Sequence, residues 1–157
     1  MVSSEEVRQS ERLDKGFYIQ DVDFPSRFIS AQMPVLMAYV AALRGFVPPD
    51  PSGAFTYCEL GCSIGVTLNT LAAANPQASF VGIDFNAESI AGARATAEQT
   101  GLKNVIYHVL SFSDLDPGDF AQFDFISMQG AYSWLPQEVK ESFRRCPTRS
   151  LYRRRYA

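Results

Sequence analysis

The amino-acid sequence predicts an α/β fold in which helices flank a parallel β-sheet. Short apolar runs typical of buried strands alternate with helical segments, and this alternation builds a parallel sheet through right-handed crossovers. The chain has 157 residues, of which 46% are hydrophobic and 20% are charged, so it can form one ordinary buried core. We therefore expect a single domain without a second catalytic one.

The first predicted element is a helix that begins at Pro34, because proline is favoured at the first helical position. Gly45 is expected to end this helix. Its larger apolar side chains are predicted to share one side, and they are Val35, Leu36, Tyr39, Val40 and Leu43. The turn-rich stretch at residues 48–53 then leads into the first strand.

Four strands are predicted in the rest of the chain, each a short apolar run bounded by turn residues. They are residues 55–60, 79–83, 105–110 and 123–128. The helices between and after them are predicted at residues 66–74, 86–100 and about 136–145. Asn86 is placed to cap the second of these helices, and Gly101 is placed to end it.

The charged residues divide the chain into an acidic body and a basic end. Residues 1–143 carry 8 basic and 17 acidic groups, whereas the last 14 residues carry six Arg and no acidic group. We expect a polar tail at residues 1–16, a folded domain at residues 17–145 and a basic tail at residues 146–157. The acidic body would repel nucleic acid and anionic membranes, so neither is an expected partner.

The sequence carries no signal for export, membrane insertion or metal binding. Its start is polar, and the longest apolar run, residues 33–43, has 11 residues where a membrane span needs about 20. Three Cys and one His provide no four-ligand zinc set. We therefore expect a cytoplasmic protein without a metal.

The candidate binding motif is the loop after the first strand, Glu59-Leu60-Gly61-Cys62-Ser63-Ile64-Gly65. In parallel sheets, ligands bind beyond the carboxyl ends of the strands, and this loop is the usual anchor. A dinucleotide fingerprint requires glycine at positions 63 and 66, where this chain has Ser63 and Val66. Glu59 would repel a pyrophosphate, but it can help hold an ammonium and a sulfonium, directly or through water. The charge favours S-adenosylmethionine over a nicotinamide cofactor.

A second carboxylate is predicted at the end of the neighbouring strand. Asp84 follows Gly65 by 19 residues, a spacing at which a carboxylate can accept hydrogen bonds from ribose hydroxyls. Both classes of cofactor use such a group, so Asp84 indicates a nucleoside without choosing between them. Asp84 could instead cap a helix, although Asn86 occupies the better capping position.

With these motifs the chain resembles the Rossmann-like (class I) S-adenosylmethionine-dependent methyltransferases over residues 17–143. The segments that carry the resemblance are residues 59–65, 81–86 and 123–126. The resemblance implies a sheet with strand order 3-2-1-4, preceded by an N-terminal helical segment. Within the class, the chain is similar to bacterial members with an aromatic N-terminal segment, here Tyr18 to Phe28, and a Gly-x-Tyr-Ser-Trp stretch, here residues 130–134. Some of those proteins have an added domain and act on protein lysines.

The resemblance also implies roles for individual residues. The glycine loop would surround the methionine part of the cofactor, Asp84 would hold the ribose, and Phe85 would lie against the adenine. Ser63 stands where many members have glycine, and Ser111 stands where an aspartate often meets the adenine amine, so we expect modest affinity. The complete predicted cofactor set is Glu59, Gly61, Cys62, Ser63, Gly65, Asp84, Phe85, Ser111, Phe112 and Gln129.

Some roles are left open by the sequence. Gln129 is either a cofactor or substrate contact or a solvent-facing amide, and His108 is expected to be a structural imidazole and not a base. Methyl transfer needs no fixed catalytic residue, so none is assigned. Several aromatic residues belong either to the core or to a cover over the methyl group, and they are Tyr18, Phe24, Phe28, Tyr132 and Trp134.

Three functions remain as alternatives. The chain is a methyltransferase acting on a small molecule or a protein, a non-catalytic S-adenosylmethionine-binding or interaction module, or an NAD(P)-dependent oxidoreductase. Residues 146–157 contain no strand-like run, so we expect a truncated sheet that ends at the fourth strand, and the sequence leaves open whether the truncated chain is active. That strand would then be an exposed edge at which two chains can associate.

Overall fold

The computed structural model describes residues 26–115, 123–135, 137, 140 and 141. Four parallel strands form one sheet with the order β3-β2-β1-β4, as predicted. A short 3-10 turn, Ser30–Gln32, precedes the first helix. The helices are α1 (Pro34–Leu43), α2 (Val66–Ala74) and α3 (Ala87–Gln99), and the strands are β1 (Thr56–Leu60), β2 (Ser79–Asp84), β3 (Val105–Val109) and β4 (Phe125–Met128).

Local sequence signals account for the ends of these elements. The Asn86 side chain accepts hydrogen bonds from the backbone N–H groups of Glu88 and Ser89, both at 3.0 Å, so the predicted cap of α3 is confirmed. Gly101 follows α3 with a φ of +72°, as expected for the residue after a helix. Of the last predicted helix, only residues 137, 140 and 141 lie within the described part of the chain, and they are helical.

Strands β1 and β2 are largely buried on both faces of the sheet, as their continuous apolar runs suggest, whereas β3 exposes Ile106 and His108. One face packs against α1, α2 and α3 through aromatic and aliphatic side chains that include Tyr57, Phe80 and Leu68. The other face includes Cys58 and Leu60 and packs against the segments that follow β3 and β4. Successive residues of β1 alternate between the faces, so the side chain of Glu59 belongs to the same face as that of Tyr57.

Helix α1 exposes large apolar side chains to solvent. Val35, Tyr39 and Leu43 are 59%, 59% and 67% exposed, whereas Ala38 is buried against the core. Small side chains let a helix lie close to a sheet, and α1 is apolar on all sides, so periodicity does not distinguish the inward side. The predicted shared side therefore includes exposed residues, and the buried side of α1 carries the smaller Ala38.

Within the described residues, β4 pairs with β1 on one side and with no strand on the other. Association of two chains through this edge stays a prediction. None of the helices in the described ranges has both the length and the apolar character that crossing a bilayer requires. The tails at residues 1–16 and 146–157, together with Tyr18 and Phe24, lie outside the described residues.

Candidate functional site

The site is built where the loop after β1 crosses the carboxyl end of β2. The backbone N–H groups of Gly61 and Cys62 both donate to the carbonyl of Ile83, at 2.8 and 3.2 Å. The N–H of Gly65 then donates to the Cys62 carbonyl at 2.9 Å, which closes a tight turn before α2. The predicted glycine loop therefore lies at the end of the sheet where ligands bind in parallel α/β folds.

Three residues of this loop adopt positive φ angles. Gly61, Ser63 and Gly65 have φ of +75°, +48° and +72°. A side chain in this region costs about 1–2 kcal/mol, so Ser63 occupies a conformation that glycine would adopt freely. This geometry explains why many members of the family that the sequence resembles have glycine where this chain has Ser63.

Gly65 is also required by the packing around it. A Cβ atom at this position would lie 2.6 Å from the Tyr107 hydroxyl and 2.9 Å from the Ala93 Cβ. The Tyr107 hydroxyl in turn donates to the Asn69 side chain at 2.8 Å, which fixes the ring in place. Gly65 thus lets the loop lie directly against β3 and α3, a structural role that exists with or without a ligand.

The loop is also close to the segments that follow β3 and β4. A Cβ at Gly61 would lie 3.3 Å from the Ala131 Cβ and 3.5 Å from the Phe112 ring. The predicted site residues Phe112 and Ser111 are both buried, so the segment after β3 is packed where it approaches the loop. Together with the bond from the Gly61 N–H to Ile83 on β2, residues from all four strand ends therefore lie around Gly61.

Asp84 is buried and is held by backbone N–H groups. Its carboxylate accepts from the N–H of Ser63 at 2.8 Å and from the N–H of Asn86 at 2.9 Å, and the N–H of Phe85 donates to it as well. Burial raises the pKa of Asp84, although the three N–H groups oppose the increase. A carboxylate offers about four lone-pair positions, so one is left for a ligand hydroxyl. Asp84 joins the β1 loop to the start of α3.

Glu59 is buried beside Asp84, with 4% of its surface exposed. The side-chain amide of Gln32 donates to its carboxylate, but within the described residues its Oε2 atom has no hydrogen-bond partner. Burial raises the pKa of Glu59 to about 7, the bond from Gln32 lowers it, and the charge of Asp84 raises it further. A buried acceptor without a donor is costly, so this atom is a candidate ligand contact.

Gln32 is a site residue that the sequence does not reveal. Its Nε2 lies 3.0 Å from the Ser127 hydroxyl, and the Tyr57 hydroxyl donates to its backbone carbonyl at 2.9 Å. Its Oε1 atom is the second buried side-chain acceptor that lacks a partner in the described part of the chain. Gln32 precedes α1 in a stretch without a clear periodicity, and its partners lie far away in sequence, so local patterns carry no signal for it.

The other predicted residues occupy different environments. Cys62 is buried, and desolvation raises the pKa of its thiol, with Asp84 and Glu59 adding to the effect. Phe85 is half-buried, and Gln129 is exposed just past β4. The side chain of Gln129 is therefore exposed to solvent at the carboxyl end of the sheet, where the candidate site lies.

Two of the aromatic residues named above, and His108, lie at the surface. Phe28 and Tyr132 are 39% and 41% exposed, so neither is a core residue. The Lys140 ammonium lies 5.5 Å from the centre of the Tyr132 ring, within the range of a cation–π contact. His108 is exposed on β3. The described residues contain no cluster of three or more His, Cys, Asp or Glu side chains that could hold a metal ion.

The charges at the strand ends indicate which ligands fit. Two adjacent carboxylates, Glu59 and Asp84, favour a cation with N–H or O–H donors and oppose a phosphate. A comparison with protein families agrees with that chemistry: the family described as "Methyltransferase domain" matches residues 51–147, which include both carboxylates and the glycine loop. The chain belongs to this methyltransferase domain family.

Relatives of this methyltransferase domain include both sequences and solved structures. It is 38% identical over 125 residues to an uncharacterized protein of Synechocystis, covering 80% of this chain and 25% of that one. It is 30% identical to PKMT2 from Rickettsia typhi, solved in complex with AdoHcy, with a TM-score of 0.69 over 77% of this chain and 23% of that one. The domain thus spans about a quarter of each protein.

A second solved structure supports the fold alone. A SAM dependent methyltransferase from Aquifex aeolicus has a TM-score of 0.53 at 15% identity, over 80% of this chain and 68% of that one. The resemblance to Rossmann-like S-adenosylmethionine-dependent methyltransferases, inferred from the motifs at both strand ends, is confirmed by the family and by these folds.

Proposed function

We propose that this domain binds S-adenosylmethionine at the carboxyl ends of β1 and β2 and transfers its methyl group to an acceptor. The observation that carries the proposal is the buried Oε2 atom of Glu59, which has no donor among the described residues and lies beside the glycine loop. The amino group of the cofactor supplies the missing donor. The AdoHcy complex of the Rickettsia typhi structure supports the same cofactor class.

The residues present fit the different parts of the cofactor. Glu59 would accept from the ammonium group, and the remaining lone pair of Asp84 would accept from a ribose hydroxyl. The half-buried ring of Phe85 follows Asp84 and would lie against the adenine. The other members of the proposed contact set are Gly61, Cys62, Ser63, Gly65, Ser111, Phe112 and Gln129.

The chemistry requires little from the protein beyond binding and alignment. When bound, S-adenosylmethionine would supply a methyl group on a positively charged sulfur, and in-line attack by the acceptor would break the S–CH3 bond and release the neutral thioether AdoHcy. The loop after β1 provides a rigid support, because its turn is closed by the hydrogen bond from Gly65 to Cys62. The protein would orient the acceptor and exclude water, so no side chain of this chain is assigned as an acid or base.

Isothermal titration calorimetry tests the choice of cofactor. The wild-type chain is titrated with AdoHcy and, separately, with NADH. We expect heat with AdoHcy and none with NADH, because the two carboxylates oppose a diphosphate. Heat with NADH alone would reject the proposal and return the oxidoreductase alternative.

A turnover assay separates an enzyme from a non-catalytic binding module. The chain is incubated with cell extract and S-adenosylmethionine that carries a labelled methyl group, and label in macromolecules and small molecules is counted. We expect incorporation above that of the Glu59→Gln variant. Binding of AdoHcy with no incorporation in either sample would support the binding-module alternative.

A further inference from the structure

Two buried oxygens at the candidate site lack hydrogen-bond donors. They are Glu59 Oε2 and Gln32 Oε1, and within the described residues they are the only buried side-chain atoms in this condition. We call them the open acceptors. The two side chains are 4% and 3% exposed, and the Gln32 amide lies close enough to the Glu59 carboxylate to lower its pKa, so the two side chains are buried neighbours.

A chain of hydrogen bonds fixes the orientation of the Gln32 amide. The Tyr57 hydroxyl donates its one proton to the Gln32 carbonyl, at 2.9 Å. The hydroxyls of Tyr57 and Ser127 are 2.7 Å apart, so Ser127 is the donor in that contact. The Ser127 oxygen then accepts from Gln32 Nε2, at 3.0 Å.

This arrangement uses both N–H donors of the Gln32 amide. One N–H bonds to Ser127 and the other to Glu59, which leaves Oε1 as the remaining polar atom of the side chain. A flipped amide would place its oxygen against the Glu59 carboxylate, where two acceptors would repel each other. The position of Gln32 Oε1 as an open acceptor is therefore set by its neighbours.

A primary ammonium group is the donor that fits both open acceptors. It has three N–H bonds and a positive charge, whereas carboxylates and phosphates are only acceptors. The titratable groups around Glu59 are Asp84, Cys62, Tyr57 and Tyr107, none of which supplies a positive charge. None of these groups would therefore compete with a cation that binds at the open acceptors beside Glu59.

We propose that Gln32 is a binding residue for the amino group of the cofactor: its Oε1 accepts one N–H while its Nε2 holds Glu59 in place to accept another. The inference rests on the proposed function, because it assigns a second contact to the same ligand. It makes the short turn before α1 part of the cofactor site. The contact would consist of two acceptors, one before α1 and one at the end of β1, around one ammonium group.

The test compares two ligands that differ in the methionine part. AdoHcy carries the ammonium group, and 5′-methylthioadenosine keeps the nucleoside and sulfur but lacks it. Gln32→Met removes both polar atoms and keeps an unbranched side chain of similar length. We expect Gln32→Met to bind AdoHcy about tenfold more weakly and 5′-methylthioadenosine within about twofold of wild type by calorimetry.

Each other outcome counts against the proposal. Unchanged AdoHcy affinity would remove Gln32 from the contact, and equal weakening of both ligands would show that Gln32 only supports the fold. Failure of the proposed function is distinguishable, because the wild-type chain would then bind no AdoHcy, and both proposals would be overturned.

A measurement on the ligand-free protein tests the bond between the two side chains. The ¹³C signal of the Glu59 carboxyl group is followed by NMR as a function of pH. Loss of the Gln32 donor in Gln32→Met should raise the titration midpoint by about one pH unit. An unchanged midpoint would contradict the assigned orientation of the amide.

A second variant protects the test against misfolding. Ser127→Ala removes one anchor of the Gln32 amide but keeps the open acceptors. We expect AdoHcy binding to weaken about threefold, with 5′-methylthioadenosine unaffected and the midpoint of Glu59 little changed. If Gln32→Met does not fold, equal loss of both ligands in Ser127→Ala would overturn the proposal.

Discussion

Glu59 at the end of β1 and Asp84 at the end of β2 are neighbouring buried carboxylates with different partners. Asp84 accepts from three backbone N–H groups, those of Ser63, Phe85 and Asn86. Glu59 accepts from one side-chain amide and has an open acceptor atom. Backbone groups satisfy most of the acceptor positions of Asp84, whereas the described residues leave Glu59 Oε2 without a donor, and this is the atom that we propose contacts a ligand.

The difference follows from where each residue stands in its strand. Asp84 is the last residue of β2, next to the start of a helix and to a tight loop, where backbone N–H groups have no partner of their own. Glu59 is one residue inside β1, between β2 and β4, so the backbone around it is used by the sheet. Only side chains and ligands can reach its carboxylate.

The largest effect on stability is expected from a substitution in the loop that follows β1 and contacts the end of β2. Gly65→Ala places a Cβ against Tyr107 and Ala93 at a positive φ, so we expect the free energy of unfolding to fall by about 4 kcal/mol. Gly101→Ala is the matched control, because it has the same φ of +72° and no described atom within 4 Å. It should lose only about 1 kcal/mol in urea unfolding. Equal losses would show that packing at Gly65 is unimportant.

The next largest effect is a dependence of the free energy of unfolding on pH, which Glu59 causes. Its pKa is about 7 in the folded chain and 4.5 in the unfolded chain, so between these values the folded state binds more protons. The free energy of unfolding should therefore decrease as pH rises from 4.5 to 7, by about 3 kcal/mol from this group. Asp84, whose pKa is also raised, contributes with the same sign.

Urea unfolding across that pH range gives the measurement. Glu59→Gln should flatten the dependence, and Glu98→Gln, which changes an exposed carboxylate on α3, should leave it intact. A stability that rises with pH in both wild type and Glu59→Gln would contradict the burial of an uncompensated carboxylate.

Amide substitutions at the two carboxylates should have opposite effects on stability. Asp84→Asn directs an NH₂ group at a backbone N–H, so we expect a loss of about 2 kcal/mol. Glu59→Gln removes a buried charge, and its new N–H can donate to Gln32 Oε1, so stability at pH 7.5 should not fall. Thermal unfolding of both variants tests this comparison, and equal destabilisation would remove the distinction between the two sites.

The smallest expected change in free energy is in ligand binding by Glu59→Gln. The variant keeps the shape of the site but loses its charge, so AdoHcy should bind at least about tenfold more weakly, or 1.4 kcal/mol. Glu98→Gln should bind as wild type does. An unchanged dissociation constant in Glu59→Gln would show that Glu59 Oε2 does not contact the ligand.

Much of this fold can be predicted because its signals are local. Asn86 caps α3 within three residues, and the strands are apolar runs between turn residues. Glu59 and Asp84 are predicted as a pair because each follows a strand, and parallel strands bring their carboxyl ends together.

The missed features depend on distant contacts. Gln32 contacts Tyr57 and Ser127, which are 25 and 95 residues away in sequence, and nothing near Gln32 indicates those partners. The exposed side of α1 could not be predicted for another reason. Val35 and Ala38 are both apolar, so only tertiary packing decides which of them faces solvent. The backbone bonds of Asp84 likewise arise from the fold of the loop at Ser63.

A crystal structure of the chain with AdoHcy tests the central claim most directly. We expect the ligand ammonium within hydrogen-bond distance of Glu59 Oε2, about 2.7–3.2 Å, or joined to it through one water. Asp84 should keep its bonds to the backbone of Ser63 and Asn86 in the complex. An ammonium bound elsewhere, with Glu59 Oε2 still without a donor, would contradict the account.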